Sequence, residues 1–559
     1  MKRYFFSVFL VCLLWALPAC RPQPATRQPA PVAATDLLPV TVTQRAFDQA
    51  AACAGHFVTH TLPFATGIRI REINTYESNG AGLAINDLDG DNDLDLVFAS
   101  IDDTSAILWN EGNLKFTKET LPDRFTRGVA TVDVDGDGAL DIVFTHRGLQ
   151  SLSYWRNQGA VIDGKRFVLT PLPGVDSYAY TMAWADLTGD GWLDLVTGSY
   201  NIELKQQGIA KPETDGRAGL VFYERQPDGF VAQPLAPNTQ ALSIALIDLN
   251  GDQQRDIWVA NDFALQDRIW LRQEGAWHPN KPFERTSYST MSIDWADITN
   301  NGTWALYATD MNPYNSSTEV LAAWLPVIAQ LEIHQQHEWG DPQIMANTLQ
   351  INDGGTWREQ GNARRVDATG WSWASKFGDL DQDGYQDLYV VNGMIAQNLF
   401  KHLPNGELVE ENQALRNQGD GSFQPMPDWQ LGSTYSGRGM SMADLDNDGD
   451  LDIVVNNLRQ SAQLFENQLC EGASLQVEVR WPERANPFGI GAQVRLQSSM
   501  GTMQRDVRVI SSYLAGDPVR VHFGFPPDTT LEAIDILWPD GAHSRVEAPP
   551  VGYLLEVTR

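Results

Sequence analysis

Asp444-Leu-Asp-Asn-Asp-Gly-Asp-Leu-Asp452, followed at once by Ile-Val-Val, is the stretch whose reading decides the fold. Asp444, Asp446, Asp448 and Asp452 take positions 1, 3, 5 and 9 of a tight loop, with Gly449 at position 6. Alternate side chains of such a loop turn inward, so their carboxylates converge and repel one another unless a hard cation sits among them. Calcium suits that crowd, because it accepts many oxygens at flexible geometry, whereas magnesium demands a stricter octahedron. Gly449 supplies the backbone freedom of the sharp turn. An EF-hand opens in the same way but needs a bidentate Glu at position 12 between two helices. Position 12 here is Val455, inside an apolar run of β character, which excludes that fold.

The pattern recurs along the chain. Asp87, Asp89, Asp91 and Asp95 form one copy, Asp133, Asp135, Asp137 and Asp141 a second, and Asp379, Asp381, Asp383 and Asp387 another. Two copies are altered at position 3. One is Asp186, Thr188, Asp190 and Asp194; the other is Asp248, Asn250, Asp252 and Asp256, with Gln253 in place of the position-6 glycine. Both keep an oxygen at position 3 and are expected to bind more weakly. A degenerate copy runs from Asp297 through Thr299 and Asn301 to Ala305. Without its position-9 carboxylate it is expected to be empty, since affinity follows charge count, its turn held by local Asn and Thr hydrogen bonds. About six calcium ions are therefore expected. Successive copies stand roughly 45 to 80 residues apart, the range of propeller blades.

Each loop has the same neighbours. A small-residue strand such as 437–443 precedes it, a β-branched strand such as 451–456 follows, and an aromatic-bearing strand such as 154–156 comes next. A fourth strand carries Phe-x-x-x-x-Leu-Pro, clearest at Phe116–Pro122 and Phe167–Pro173. Four period-two strands with turns between them make one blade. The last blade has only three strands of its own, and an extra fourth-strand signal, Phe57–Pro63, precedes the first loop. That segment is expected to complete the seventh blade and close the ring, leaving no exposed sheet edge.

The 559 residues allow a large core and more than one domain. The net charge of -31 sits largely in the Asp loops and argues against nucleic acid as a partner. At the amino terminus, Lys2 and Arg3, an apolar stretch 5–14 and Leu17-Pro-Ala-Cys20 resemble a bacterial lipoprotein signal, which implies cleavage of residues 1–19 and lipid on Cys20. Residues 20–52 are expected to be the lipidated Cys and a flexible linker, rich in Pro, Ala, Gln and Thr at first. Arg21 rather than Asp after Cys20 favours the outer membrane. Of the remaining cysteines, Cys470 ends the third strand of the last blade and Cys53 precedes its fourth. A Cys53–Cys470 disulfide fits that position in an oxidising compartment, two unpaired thiols being the alternative. An insertion near 312–343 carries a helix expected to be interrupted or bent at Pro326.

After Cys470 the Asp loops stop, and residues 472–559 hold several short strands of a separate small β-sandwich. The Asp loops with their flanking strands resemble FG-GAP or VCBS repeats, the blades of integrin-α-type propellers. Asn486-Pro-Phe-Gly-Ile-Gly-Ala, His522-Phe-Gly and Trp538-Pro-Asp-Gly are similar to the ASPIC/UnbV domain. Together they resemble the cartilage acidic protein-like family. The resemblance implies an all-β fold, a seven-bladed propeller over 53–471 with calcium in its loops, and adhesion or matrix-like binding.

Signs of catalysis are thin. His334 and His337 lie one helical turn apart, but no Cys or acid pair completes a zinc set. Gly439-Met-Ser-Met-Ala443 misses the nucleophile-elbow pattern by its last residue, and Gly489-Ile-Gly491 reads as a turn. The expectation is a non-catalytic binding or scaffold module in the cell envelope, for a glycan, a matrix polymer or a protein partner. The alternative is a hydrolase or lyase acting on polysaccharide. Trp184, Trp192, Trp295, Trp304, Trp371 and Trp373, in or beside blade loops, could offer flat faces to sugars or pack between blades.

Overall fold

A computed structural model describes residues 37–48, 53–263, 265–334 and 342–559 of the chain. The signal segment 1–19, Cys20 and the tether up to residue 36 lie outside the described residues, as does His337. The fold is all-β. Among the described residues, five four-stranded sheets, one five-stranded sheet and one six-stranded sheet each carry an Asp loop between their first two blade strands. The first strand of each sheet is buried throughout, for example Thr126–Val132 and Gly437–Ala443. These inner strands touch their neighbours in turn, and the last, Gly437–Ala443, touches the first, Leu83–Asn86, so the sheets form a closed ring.

Closure happens where the sequence places it. Val58–Ala65 pairs antiparallel with Ser461–Glu466, Val58 opposite Glu466, as the outer strand of the final sheet. The sulfurs of Cys53 and Cys470 are bonded beside it, with 5.6 Å between their Cα atoms. Asparagines at the ends of third strands tie sheet to sheet. Asn157 Nδ2 donates to the Leu88 carbonyl of the preceding blade at 2.9 Å, Asn417 to Ile298 at 2.8 Å, Asn467 to Leu380 at 2.8 Å and Asn110 to Leu445 at 2.8 Å, the last across the closure.

Residues 473–558 form two further four-stranded sheets packed on a shared core that includes Val477, Val494, Leu496, Ile536 and Leu555. One expectation is corrected here. The linker was expected to run to residue 52, yet Thr41–Ala46 is the edge strand of one of these sheets, Thr41 opposite Thr558. Alternating Val40, Val42 and a buried partner strand explain it: two part-buried valines dock on the core. The carboxy-terminal domain packs on part of the Asp-loop face of the ring, and its segment 510–517 enters the central channel.

That segment touches every sheet. The Gly82 backbone abuts the Leu514 carbonyl, Gly516 pairs with Ala84, and Val129 N–H approaches Leu514 O at 3.5 Å. Tyr513 Oη meets Tyr180 Oη at 2.5 Å and donates to Asn79 O at 2.8 Å. Ser243 donates to Ser512 O at 2.6 Å, and Ser512 N–H to Ile293 O at 2.7 Å. Ser375 N–H donates to Ser512 Oγ at 3.2 Å, and Ser441 donates to Gly516 O at 3.1 Å. Ser512 and Leu514 hold left-handed φ values of 62° and 54°, unfavourable for such side chains and tolerated because the surroundings fix them on all sides.

The insertion helix spans Thr318–His334 without interruption. Pro326 and Ala322 both face solvent, so water serves the carbonyl that the missing N–H leaves free. Trp324, buried, donates to Glu410 at 3.0 Å and pins the helix to the ring.

Candidate metal loops and the capped face

In each loop the position-1 aspartate organises the turn. Asp87 Oδ1 accepts the N–H of Gly90 at 2.7 Å and its Oδ2 that of Asn92 at 3.0 Å; Asp133, Asp186 and Asp248 repeat the arrangement. Position 6 is left-handed in every copy, including Asn92 at 77° and Gln253 at 69°, where a side chain bears the strain. Position 9 opens the second strand, and both of its oxygens accept backbone N–H groups: Asp95 takes Leu88 at 3.1 Å and Asn110 at 2.9 Å.

Four loops bring three carboxylates within 4.8 Å of one another: Asp87, Asp89 and Asp95; Asp133, Asp135 and Asp141; Asp379, Asp381 and Asp387; Asp444, Asp446 and Asp448. The loops at Asp186 and Asp248 do not bring three acids together, since Thr188 and Asn250 hold position 3; Asn250 Nδ2 instead donates to Asp252 at 3.0 Å. Asp91, Asp137, Asp190, Asp194, Asp256, Asp383 and Asp452 complete the loops around these groups. The Asp297 loop closes on itself, Asn301 and Gly302 donating to Asp297 at 3.1 and 2.8 Å.

Position 3 reveals what the loops lack. Asp135 Oδ1, Asp381 Oδ1, Asp446 Oδ1 and Thr188 Oγ1 are buried without a hydrogen-bond partner. Four orphaned oxygens at one loop position, beside converging carboxylates, are what a cation's coordination shell would satisfy. Burial also drives these acids toward their neutral form: it pushes Asp95, Asp141 and Asp446 up to about 8 and Asp133, Asp194, Asp256 and Asp444 up to about 7. The residues present fit a hard divalent ion.

Two arginines escaped the sequence reading. Arg156 bridges Asp135 and Asp137, and Arg416 bridges Asp381 and Asp383, each from the residue before the third-strand asparagine. The repeated Arg-Asn-Gln-Gly at 156–159 and 416–419 was the available signal. Arg505, from the carboxy-terminal domain, lies close to Asp379 and Asp297; burial lowers it to about 10 while their charges oppose that fall.

The cap seals some loops and leaves others open. Gln476 donates to Asp444 Oδ2 at 2.5 Å, His522 approaches the Gly449 carbonyl at 3.0 Å, and Asp379 is fully buried under Gly524. The Asp248 loop by contrast is exposed over Asn250–Gln254.

Four of the six tryptophans offer no face to a sugar. Trp184, Trp295, Trp371 and Trp373 are buried, Trp371 against Trp324 and Phe400 and Trp373 against Tyr513, while Trp192 and Trp304 are half-buried. Trp371 packs on the insertion helix, Trp373 on the channel segment and Trp184 on Phe230 of its own sheet. Ser441 lines the channel, and Gly489 and Gly491 sit in a left-handed turn.

The sequence profile of the ASPIC and UnbV family matches residues 482–559, and that of the FG-GAP-like repeat matches 87–144, 133–197 and 406–455. No curated protein matches the chain. Among solved structures it is similar to a chain from crystals of BBS1N in complex with ARL6DN soaked with mercury, at TM-score 0.40 and 10% identity over 75% of this chain and 98% of that one. It is likewise similar to the WD40 domain of Toxoplasma gondii coronin, at TM-score 0.40 and 10% identity over 76% and 89%. The chain is a β-propeller of FG-GAP-like repeats that carries a carboxy-terminal ASPIC and UnbV domain.

Proposed function

We propose that this protein is a calcium-braced, non-catalytic binding module of the bacterial envelope, lipid-anchored through Cys20 at the outer membrane, which engages a glycan, matrix polymer or protein partner through the face opposite its Asp loops. One observation carries the reading. The channel and part of the Asp-loop face are taken up by the chain's own carboxy-terminal domain, whereas the inserted elements lie at the other end. There stand the helices Asn201–Gln206 and Thr318–His334 and the hairpin of Met394–Ile395 with Glu407–Leu408, each between second and third strands. There too lie Ile68, Phe125, Leu149, Leu325 and Val409, between 41% and 58% exposed. Apolar side chains held out on that rim suit an interface core, as do Val161, Ile162 and Leu169 on an outer hairpin of the second blade.

Catalysis has little to work with. Ser153, His146 and Asp123 come together, but Asp123 accepts from both, and the other His146 nitrogen faces the Ser151 carbonyl at 2.9 Å. Ser153 Oγ lies 3.4 Å from His146 Nε2, and both groups point at the Asp123 carboxylate rather than at each other.

The test presents immobilised protein with envelope polysaccharides and fractionated envelope proteins. Binding is expected for the wild type and lost by at least tenfold in Phe125→Glu or Leu325→Glu, with no sugar release from any polymer. Turnover of a polysaccharide, or binding indifferent to both variants, would overturn the reading.

The calcium in this proposal has its own signature. Carboxyls raised to about 7 or 8 favour the folded state while protonated, so their contribution is complete below the ordinary carboxylate range and is lost as pH rises through about 8. Metal-stripped protein should therefore melt at falling temperature between pH 5 and about 8. Calcium should flatten that slope, because the ion replaces the protons. Melting series with and without calcium check it, and parallel slopes would count against the ion.

A further inference from the structure

We infer that the cleft between the ring and the carboxy-terminal domain binds a small oxyanion, either free or as the acidic group of a sugar. The cleft lies beside the loops that begin at Asp297, Asp379 and Asp444, under the inner strands Ile293–Ala296, Gly370–Gly378 and Gly437–Ala443. Its other wall comes from the strands Gly501–Asp506 and Val521–Phe525 of the carboxy-terminal domain. It stands apart from the apolar rim proposed as an interface.

The lining is cationic in a chain whose net charge is -31. Lys376, Arg505, Arg508 and Arg520 line it, against the acids Asp506 and Asp517. Three of these cations hold carboxylates. Lys376 and Arg508 share Asp517, Arg508 also meets Asp294 at 2.6 Å, and Arg520 meets Glu478 at 2.9 Å. Asp506 is taken by Arg255 at 2.5 Å. Arg505 pairs with no carboxylate among the described residues. Its Nε donates to the His522 carbonyl at 2.8 Å, its Nη1 to the Gln504 carbonyl at 3.0 Å, and its Nη2 to the Gln386 amide oxygen at 2.8 Å. Asp379 and Asp297 lie nearby, but their oxygens accept backbone N–H groups of their own loops.

A guanidinium 8% exposed and bonded only to neutral oxygens is costly to bury, and an anion against it offsets that cost. Each Nη of Arg505 carries a second N–H beyond these bonds, and a planar guanidinium matches the oxygens of a carboxylate or sulfate. So cationic a lining repels a metal ion. Volume limits the guest. The cleft holds about 100 Å³, whereas a cavity of about 150 Å³ accepts benzene. Sulfate or one carboxylate group fits that space; a whole sugar ring does not. Trp304 and Arg508 are partly exposed, so the cleft opens to solvent beside them.

Gln386→Glu is the informative variant. It puts a carboxylate where the amide oxygen already meets Arg505 Nη2, at unchanged side-chain shape, so Arg505 gains an internal partner. Gln504→Glu is the second: its Oε1 still accepts from Arg495 Nε, at 2.7 Å in the wild type, and it adds negative charge to the lining. Equilibrium dialysis of the full chain with labelled sulfate at constant ionic strength counts the site, and anomalous scattering from selenate in crystals locates it. The expected result is one sulfate per chain, a selenate peak beside Arg505, and affinity at least tenfold weaker in both variants with an unchanged circular dichroism spectrum. Displacement of the sulfate by glucuronate but not by glucose assigns the guest to a sugar, and resistance to glucuronate assigns it to a free ion; both uphold the oxyanion site. No selenate peak in the cleft, or sulfate bound equally by both folded variants, overturns the inference. Should a variant misfold, the wild-type peak decides.

Discussion

Stripping divalent ions from the protein is expected to lower its melting temperature by on the order of 15 °C. Each site saturated a hundredfold above its dissociation constant contributes about 2.7 kcal/mol to the folded state. About six such sites contribute roughly 16 kcal/mol in total. Unfolding a chain of this length carries an entropy of about 1 kcal/mol per kelvin, at about 2.1 cal/mol/K for each residue. The quotient gives the shift. The cause is local: without the ion, converging carboxylates such as Asp379, Asp381 and Asp387 are buried facing one another, and the first two strands of a blade are joined through that repulsion. Calorimetry of protein dialysed against chelator, then restored with calcium, measures the effect. A shift of less than about 2 °C would mean that the loops are held by their own hydrogen bonds, like the turn at Asp297.

The second large effect is mechanical in origin. A methyl group at Gly82 would stand 1.7 Å from the carbonyl oxygen of Leu514, backbone against backbone, so neither side can yield by changing rotamer. Gly82→Ala should expel segment 510–517 from the channel. Overpacking costs about 1 to 3 kcal/mol, and losing the burial of a large aromatic such as Tyr513 about 3 to 5 kcal/mol. A loss on the order of 5 kcal/mol raises the open population roughly 5,000-fold, and proteolysis that follows that population should accelerate in proportion. Cleavage is expected within 508–518. Gly216→Ala is the control, since nothing lies within 4 Å of its added methyl, and it should be cut at the wild-type rate. Equal rates for both variants would show that the segment is not seated as described.

The repeat was legible because its physics is local: a nine-residue loop carries its own charge pattern, and a period-two strand on each side needs no distant partner to be recognised. Closure by Val58–Ala65 was legible for the same reason, as a fourth-strand signal without its own third strand. What escaped depends on contacts between distant residues. Nothing local in residues 510–516 says that they thread the ring, and Gly82, where backbone meets backbone, is one glycine among several on the inner strands. The tryptophans were ambiguous because alternation assigns a face without saying what covers it. Arg156 and Arg416 lay on a strand whose pattern looked complete without them. Thr41–Ala46 was hidden by the composition of the tether before it, and its partner lies at the far end of the chain.

That last pairing has a consequence for how the molecule is made. Thr41 lies opposite Thr558 and Val58 opposite Glu466, so these strands have no partners until several hundred further residues have been made. The channel is filled by residues that also arrive late. Folding of so non-local a chain is slow, and its unfinished forms leave sheet edges open to other chains. A nascent copy cannot close blade by blade into its final shape as it grows; for most of its synthesis it must be kept from aggregating, and its last hundred residues complete the ring, the cap and the channel together.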